Sequence, residues 1–417
     1  MKETINFLRS WKNGILAIQH LVACFGATTL VPLLTGLDIS VALFAAGVGT
    51  LIFHFVTKMK VPVFLGSSFA FIPGIMAVVA ATGSVAAAQG GIIVAGLLYL
   101  VFAAIVYHIG LKRVVRAFPG HVTGTIIMLI GFSLIPTAAD MALTKTPLAL
   151  LVLFTAVLIQ LFVSGFIGQL AILLSIAVGY AAALLVGMID TGMIAAAPWF
   201  AVPNFTAPTF SMVSILTIAP VVLATFMEHI GDIAANQTIT KNNFYKDPGL
   251  HRTLIGDGLA TAFAGLIGGP PNTTYSENTA LLAITKNYDP RIIRFTAVLA
   301  ILLSFSGKLS AIFQSIPTAV LGGISLVLFW MIAKIGIDTV LKIRYRLKWQ
   351  HQAIIAIMIL VGLGTSFTEP LFGFAIAIPI SSTASLQGVG LAALVGIVLN
   401  LIAGDPFKET KEQDKGV

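Results

Sequence analysis

Apolar runs long enough to cross a bilayer recur from residue 13 to residue 404, joined mostly by short polar links. A spanning helix takes about 20 such residues. Lipid offers no partner to backbone N–H and C=O groups, so a chain built this way is confined to helices wherever it meets the membrane. About fourteen segments can be placed, at 13–35, 39–57, 62–80, 89–110, 121–137, 147–164, 168–189, 212–238, 253–268, 272–285, 291–314, 317–336, 351–367 and 385–404. The third and tenth are short and broken. Residues are 58% hydrophobic and 10% charged, which leaves no soluble domain of useful size. The expected fold is an all-α polytopic membrane protein. The first ten residues are polar and the run after them is too long for a signal-peptide core, so no signal peptide is expected. Cys24 is the single cysteine, which excludes an intrachain disulfide.

A formal charge of +8 invites a nucleic-acid reading, but its placement argues otherwise. With fourteen spans and a cytoplasmic N-terminus, 21 of the 24 Lys and Arg residues fall in cytoplasmic segments. They run from Lys2, Arg9 and Lys12 through Lys112, Arg113 and Arg116 to Lys408, Lys411 and Lys415. That is the bias that orients membrane proteins. It puts both termini in the cytoplasm of a multi-pass protein of the cytoplasmic (inner) membrane. The basic excess is then topology rather than a ligand site; the chain's partner is the lipid bilayer, and no nucleic acid is expected.

The chain also repeats itself. Gln19-His20-Leu21 lies 209 positions before Glu228-His229-Ile230, and GSSFAF at 66–71 lies the same distance before TYSENT at 275–280. Pro119 lies 198 positions before Pro317. Each pair holds the same ordinal place in its half: segments one and eight, three and ten, five and twelve. Seven segments per copy is an odd number, so the second copy is inverted in the membrane. Inverted repeats with interrupted segments at matched places point to a secondary transporter. PVFLGSSFAFIPG and GGPPNTTYSENT read as short extended strands followed by half-helices. Such backbone survives at depth only where protein covers it or it lines a cavity. There it offers free N–H and C=O groups, and the half-helix points its positive end at the same place.

Three acids lie inside apolar stretches: Glu228, Asp232 and Glu277. A carboxyl group at that depth costs at least a few kcal/mol, so its default reading is a substrate, ion or proton site. Glu228 and Asp232 are four residues apart and share a helix face. Two ionised carboxylates that close would repel, so the pair is expected to hold a proton and titrate as a unit. Glu277 opens the half-helix of segment ten. The matching places in the first half are Gln19, Ala23 and Ser68, so charge chemistry belongs to the second half. Structural alternatives exist for each acid: Glu228 held by His229, Asp232 as a helix–helix hydrogen-bond partner, Glu277 as a cap. Asp257 is expected to pair with Arg252 or Lys286 near the inner surface. His54, His108, His121, His251 and His351 are expected at helix ends facing headgroups. No nucleotide-binding loop, zinc signature or nucleophile motif is present, so neither an enzyme nor a cofactor is expected, the proton being the coupling ion.

Several stretches carry a resemblance: QHLVACFGATTLVP, KVPVFLGSSFAFI, EHIGD, DPGLHRTLIGDGLAT, GGPPNTTYSEN, ITKNYDPR and SGKLSAIFQSIPTAVLGG. Over residues 13–404 the chain resembles the nucleobase–cation symporter 2 family, also called the nucleobase–ascorbate transporters. The resemblance implies fourteen segments in two inverted repeats of seven. It implies a core domain from residues 1–117 and 208–315 (segments 1–4 and 8–11). Residues 118–207 and 316–417 (segments 5–7 and 12–14, with the cytoplasmic tail) would form a gate domain, through which a homodimer would assemble. It implies uptake of a nucleobase, driven by protons through alternating access. Residue by residue, Glu228 and Glu277 match the substrate-binding acids, and Phe69 the aromatic beside the base. Ala27, Tyr275 and Ser276 match positions around the pocket that contribute backbone contacts, and Ser68 joins them as the counterpart of Glu277.

Two departures bear on the substrate. Uracil members of that family usually carry His where this chain has Asp232, and purine members often carry Asp. Uracil members usually read Tyr-Gly-Glu-Asn where this chain has Tyr275-Ser276-Glu277-Asn278, and purine members tend to have Gln in place of Glu277. Uracil is flat and neutral, with two ring N–H donors and two carbonyls. Two carboxylates can accept the donors, freed backbone N–H groups can meet the carbonyls, and Phe69 can stack on the ring. The expectation is proton-coupled uracil uptake, with Glu228 and Glu277 gripping the base and Glu228 with Asp232 handling the proton. A xanthine or purine symporter of the same fold is the alternative. An anion carrier or channel is the more distant one, disfavoured by an acidic pocket with no Lys or Arg beside it.

Overall fold

The computed structural model describes residues 11–110, 119–372, 376–379 and 385–403, so Lys2, Arg9, Lys112, Arg113, Arg116, Lys408, Lys411 and Lys415 lie outside it. All fourteen expected segments are occupied. They are α1 (Trp11–Thr35), α2 (Ile39–Val56), β1 (Leu65–Ser67) with α3 (Ile72–Thr82), α4 (Val85–Ile109), α5 (Gly120–Leu143), α6 (Thr146–Phe162) and α7 (Ala171–Leu185) in the first half. The second half holds α8 (Met212–Thr240), α9 (Leu250–Ile267), β2 (Asn272–Thr274) with α10 (Ser276–Thr285), α11 (Pro290–Ser304), α12 (Thr318–Ile343), α13 (Trp349–Phe372) and α14 (Gly388–Ala403). The strands fall in segments three and ten, at the same place in each seven-segment repeat, and the second repeat is inverted.

Local chemistry sets the breaks. Asp38 caps α2 by accepting a hydrogen bond from Val41 N at 3.0 Å. Asp289 caps α11, and Pro290 supplies the fixed φ of its first residue. Gly83 and Gly268 end α3 and α9 with φ of +67° and +90°, a conformation that costs any other residue more. Segment eleven was expected as one span, 291–314. It turns by 80° after α11 into a short helix, Gly307–Gln314. The cause is Ser306, whose hydroxyl accepts from Leu309 N and starts a new helix.

Among the described residues, six helices are long and apolar enough to cross a membrane alone: α1, α2, α4, α5, α8 and α12. The shorter and broken segments rely on cover from these. Helix pairs approach closely through small residues, as expected where packing rather than hydrophobicity joins helices in lipid. α4 meets α9 at Gly96, where a Cβ would fall 2.5 Å from Ala262 N; α5 meets α12 at Gly131, where it would fall 2.4 Å from Ala333 N. The helices sort by packing: α2 and α4 lie against α9, α2 and α1 against α11, α5 and α6 against α12, and α13 against α14. Between α13 and α14 a short antiparallel pair, β3 (Ala377–Pro379) with β4 (Ser385–Gln387), was not expected from the sequence.

Candidate functional site

The two broken segments meet each other. β1 and β2 pair antiparallel, Leu65 opposite Thr274, Gly66 opposite Thr273 and Ser67 opposite Asn272. Ser68 N donates to Pro271 O at 2.8 Å and Tyr275 N donates to Phe64 O at 3.0 Å, which closes the ladder at both ends. Each strand then runs into a helix, so two helix N-termini flank one short ribbon. Buried extended backbone of this kind needs partners for its polar groups. Thr50 Oγ1 on α2 accepts from Leu65 N at 2.9 Å, and Ser67 Oγ donates to Thr28 O on α1 at 2.9 Å. Asn272 Nδ2 donates to Ala45 O at 3.1 Å and Ala260 O at 3.3 Å, tying β2 to α2 and α9. Tyr275 lies across the ribbon with its hydroxyl donating to Ser67 O at 2.8 Å. Gly66 leaves the room: a Cβ there would fall 2.4 Å from Tyr275 Cζ.

The acids gather around this ribbon. Thr274 Oγ1 donates to Asp232 Oδ2 at 2.5 Å, which fastens β2 to the acidic face of α8. Glu228 stands one turn earlier on that face, and Glu277 sits in the first turn of α10, three residues after Thr274. Glu228 is exposed, and Asp232 and Glu277 are partly so. Exposed residues C-terminal to them are Gly231, Ala235 and Thr238 on α8, and Ala280, Ala283 and Ile284 on α10.

Of the other expected pocket residues, Phe69 is half-buried where β1 turns into α3, and Ser276 is exposed at the start of α10. Tyr275 and Ala27 are buried, and Ser68 is buried with its hydroxyl unpaired. Ala27 precedes Thr28, whose carbonyl anchors Ser67. Ser68 and Glu277 thus stand at the two ends of the ribbon's exits, as the repeat implies.

Other expectations need correction. His229 does not hold Glu228. Its Nδ1 lies 2.9 Å from Asp257 Oδ2 and its Nε2 2.9 Å from Thr253 Oγ1, all with buried side chains. Asp257 therefore faces neither Arg252 nor Lys286; Arg252 donates instead to Val56 O at 3.1 Å. His54 is buried with Nε2 3.0 Å from Val63 O, and His121 and His351 are buried with rings 4.9 Å apart, so none of the three faces headgroups. The sequence reading also missed Asn278, whose Nδ2 reaches both Nδ1 and O of His20 at 3.2 Å and joins α10 to α1.

The profile of a permease family matches residues 12–371. The probable uracil permease of Haemophilus influenzae is 39% identical, with 94% of each chain covered. The uracil permease of Bacillus caldolyticus is also 39% identical, over 93% of this chain and 91% of that protein. Among solved structures, the transmembrane domain of a cyanobacterium bicarbonate transporter, BicA, superposes with a TM-score of 0.58 at 16% identity, covering 94% of this chain and 97% of that one. At that identity the likeness is one of fold.

Proposed function

The chain belongs to the permease family, a family of membrane transporters rather than enzymes, and from that membership we propose that it carries uracil inward with protons. The observation that carries this reading is the convergence of Glu228, Asp232 and Glu277 on one short ribbon, fixed by the Thr274–Asp232 hydrogen bond. Glu228 and Glu277 accept the two ring N–H groups of the base. The N-terminal amides of the two half-helices meet its carbonyls, and Phe69 covers its face. Tyr275, Ser276, Ala27 and Ser68 shape the pocket, chiefly through backbone. Glu228 and Asp232 exchange the coupled proton.

Alternating access follows from division of the helices. α1–α4 with α8–α11 form a core that holds the base, and α5–α7 with α12–α14 form a gate against which the core moves. The packing partners described above respect that division. Both termini face the cytoplasm of the inner membrane, so the C-terminal ends of α8 and α10 mark the cytoplasmic path from the acids, and two copies assemble through their gates. One observation favours a second substrate: Asp232, which in this family resembles purine carriers, so xanthine is the competitor to test. Radiolabelled uracil uptake into proteoliposomes with an inward proton gradient separates the two. Accumulation that excess xanthine leaves unchanged supports uracil; absence of uracil uptake in folded protein moves the assignment to a purine.

A further inference from the structure

A cavity of about 310 Å³ lies along α3 and the N-terminal part of α8, the elements that lead to this site. Its wall begins at Ala70, the neighbour of Phe69, and at Val221, seven residues before Glu228 on α8. Seven residues are two helical turns, so Val221 lies on the same face as Glu228 and about 10 Å further along the helix. Ala77 on α3 extends the wall, and the few polar groups come from Ser133, Thr217 and Gln387. None of the three acids lines it. An apolar cavity of roughly 150 Å³ already accepts benzene, so this one has room for an aromatic ring.

Given the uracil reading, on which this inference rests, the base has one apolar edge, the C5–C6 side. Its four other polar positions are engaged by the acids and the half-helix amides. We infer that the cavity is a subsite for an apolar substituent on that edge, so that the protein binds 5-aryl- or 5-alkyl-substituted pyrimidines as well as the unsubstituted base. The ring sits at the acids and the substituent enters between α3, α8 and α5. Apolar walls accept such a group without leaving a buried polar atom unpaired, whereas a charged substituent would lose its hydration there.

The test is competition of 5-benzyluracil against radiolabelled uracil on the purified full-length protein, in the wild type and in Ala77→Phe, which fills the cavity from α3. The wild type is expected to bind 5-benzyluracil at least as tightly as uracil. Ala77→Phe is expected to keep uracil affinity and lose about tenfold or more in affinity for 5-benzyluracil, the scale of a steric misfit in an apolar pocket. Ser133→Phe fills the same cavity from α5 and replaces Ala77→Phe if that variant does not bind uracil. Uracil bound with 5-benzyluracil refused by the wild type overturns the subsite alone, as does equal loss of both ligands in both variants. Uracil itself not bound by the wild type overturns the reading of the acidic site, and the subsite with it.

Discussion

Thr274 and Asp232 are 42 residues apart, and the hydrogen bond between them, 2.5 Å long, is where the ribbon of segment ten touches the acidic face of α8. Through it, any shift of the ribbon is felt by the acid pair. A hydrogen bond to a charged group contributes about 1.5–3 kcal/mol. Thr274→Val keeps the shape and removes the donor. The expected result is a rise in uracil KM of about tenfold and an altered pH profile of uptake, with the protein still folded. An unchanged profile would mean that Asp232 takes no part in proton handling.

Gly66 is the second point of control. Its missing side chain lets Tyr275 lie over the ribbon and reach Ser67. Gly66→Ala must displace that ring or the strand. Overpacking of this kind costs about 1–3 kcal/mol. Because Tyr275 leads directly into Ser276 and Glu277, uracil binding should fall more than thermal stability does. Equilibrium binding and a melting curve on the same preparation decide it.

The buried His229–Asp257–Thr253 group joins α8 to α9. Removing one member of a buried polar pair leaves its partner unsatisfied, at a cost of about 3 kcal/mol or more. Asp257→Ala and His229→Ala should each lower the melting temperature markedly, and the double variant should lose less than the sum. Additive losses would show that the two side chains do not depend on each other.

Outside the membrane, Lys60 and Asp247 form an exposed ion pair between the α2–α3 and α8–α9 loops. The hydrogen bond from Lys60, helped by the charges of Lys60 and Lys58, holds the Asp247 carboxyl below its ordinary range. A carboxyl lowered in the folded state adds stability above its unfolded value, near about pH 4, and that addition disappears as pH falls through the lowered value. Asp247→Asn should therefore melt slightly earlier than the wild type at pH 7, and the difference should vanish in acid. A difference that grows on acidification would reverse the sign of this account.

The fourteen segments and the two broken ones were legible in the sequence because hydropathy and Pro, Gly and Ser placement are local signals. Glu228, Asp232 and Glu277 stood out for the same reason: charge is conspicuous in an apolar run. What joins them was not legible. The pairing of Leu65 with Thr274 spans more than two hundred residues, and nothing in either segment names the other. Asp257 was assigned to a nearby cation on charge alone, yet α8 brings His229 against it from the neighbouring helix. Segment eleven read as one span because apolar residues lie on both sides of the bend. Ser304, Ser306, Gly307 and Lys308 mark the break, with Ser306 capping the new helix, but a window of hydropathy averages so short a polar stretch away.

The most direct test of proton-coupled uptake at this site compares wild type with Glu228→Gln in proteoliposomes, measuring uracil accumulation with and without an imposed inward proton gradient. The account predicts gradient-driven accumulation by the wild type and its loss in the variant, because the amide keeps the size of the side chain but cannot exchange a proton. Normal concentrative uptake by Glu228→Gln would contradict it.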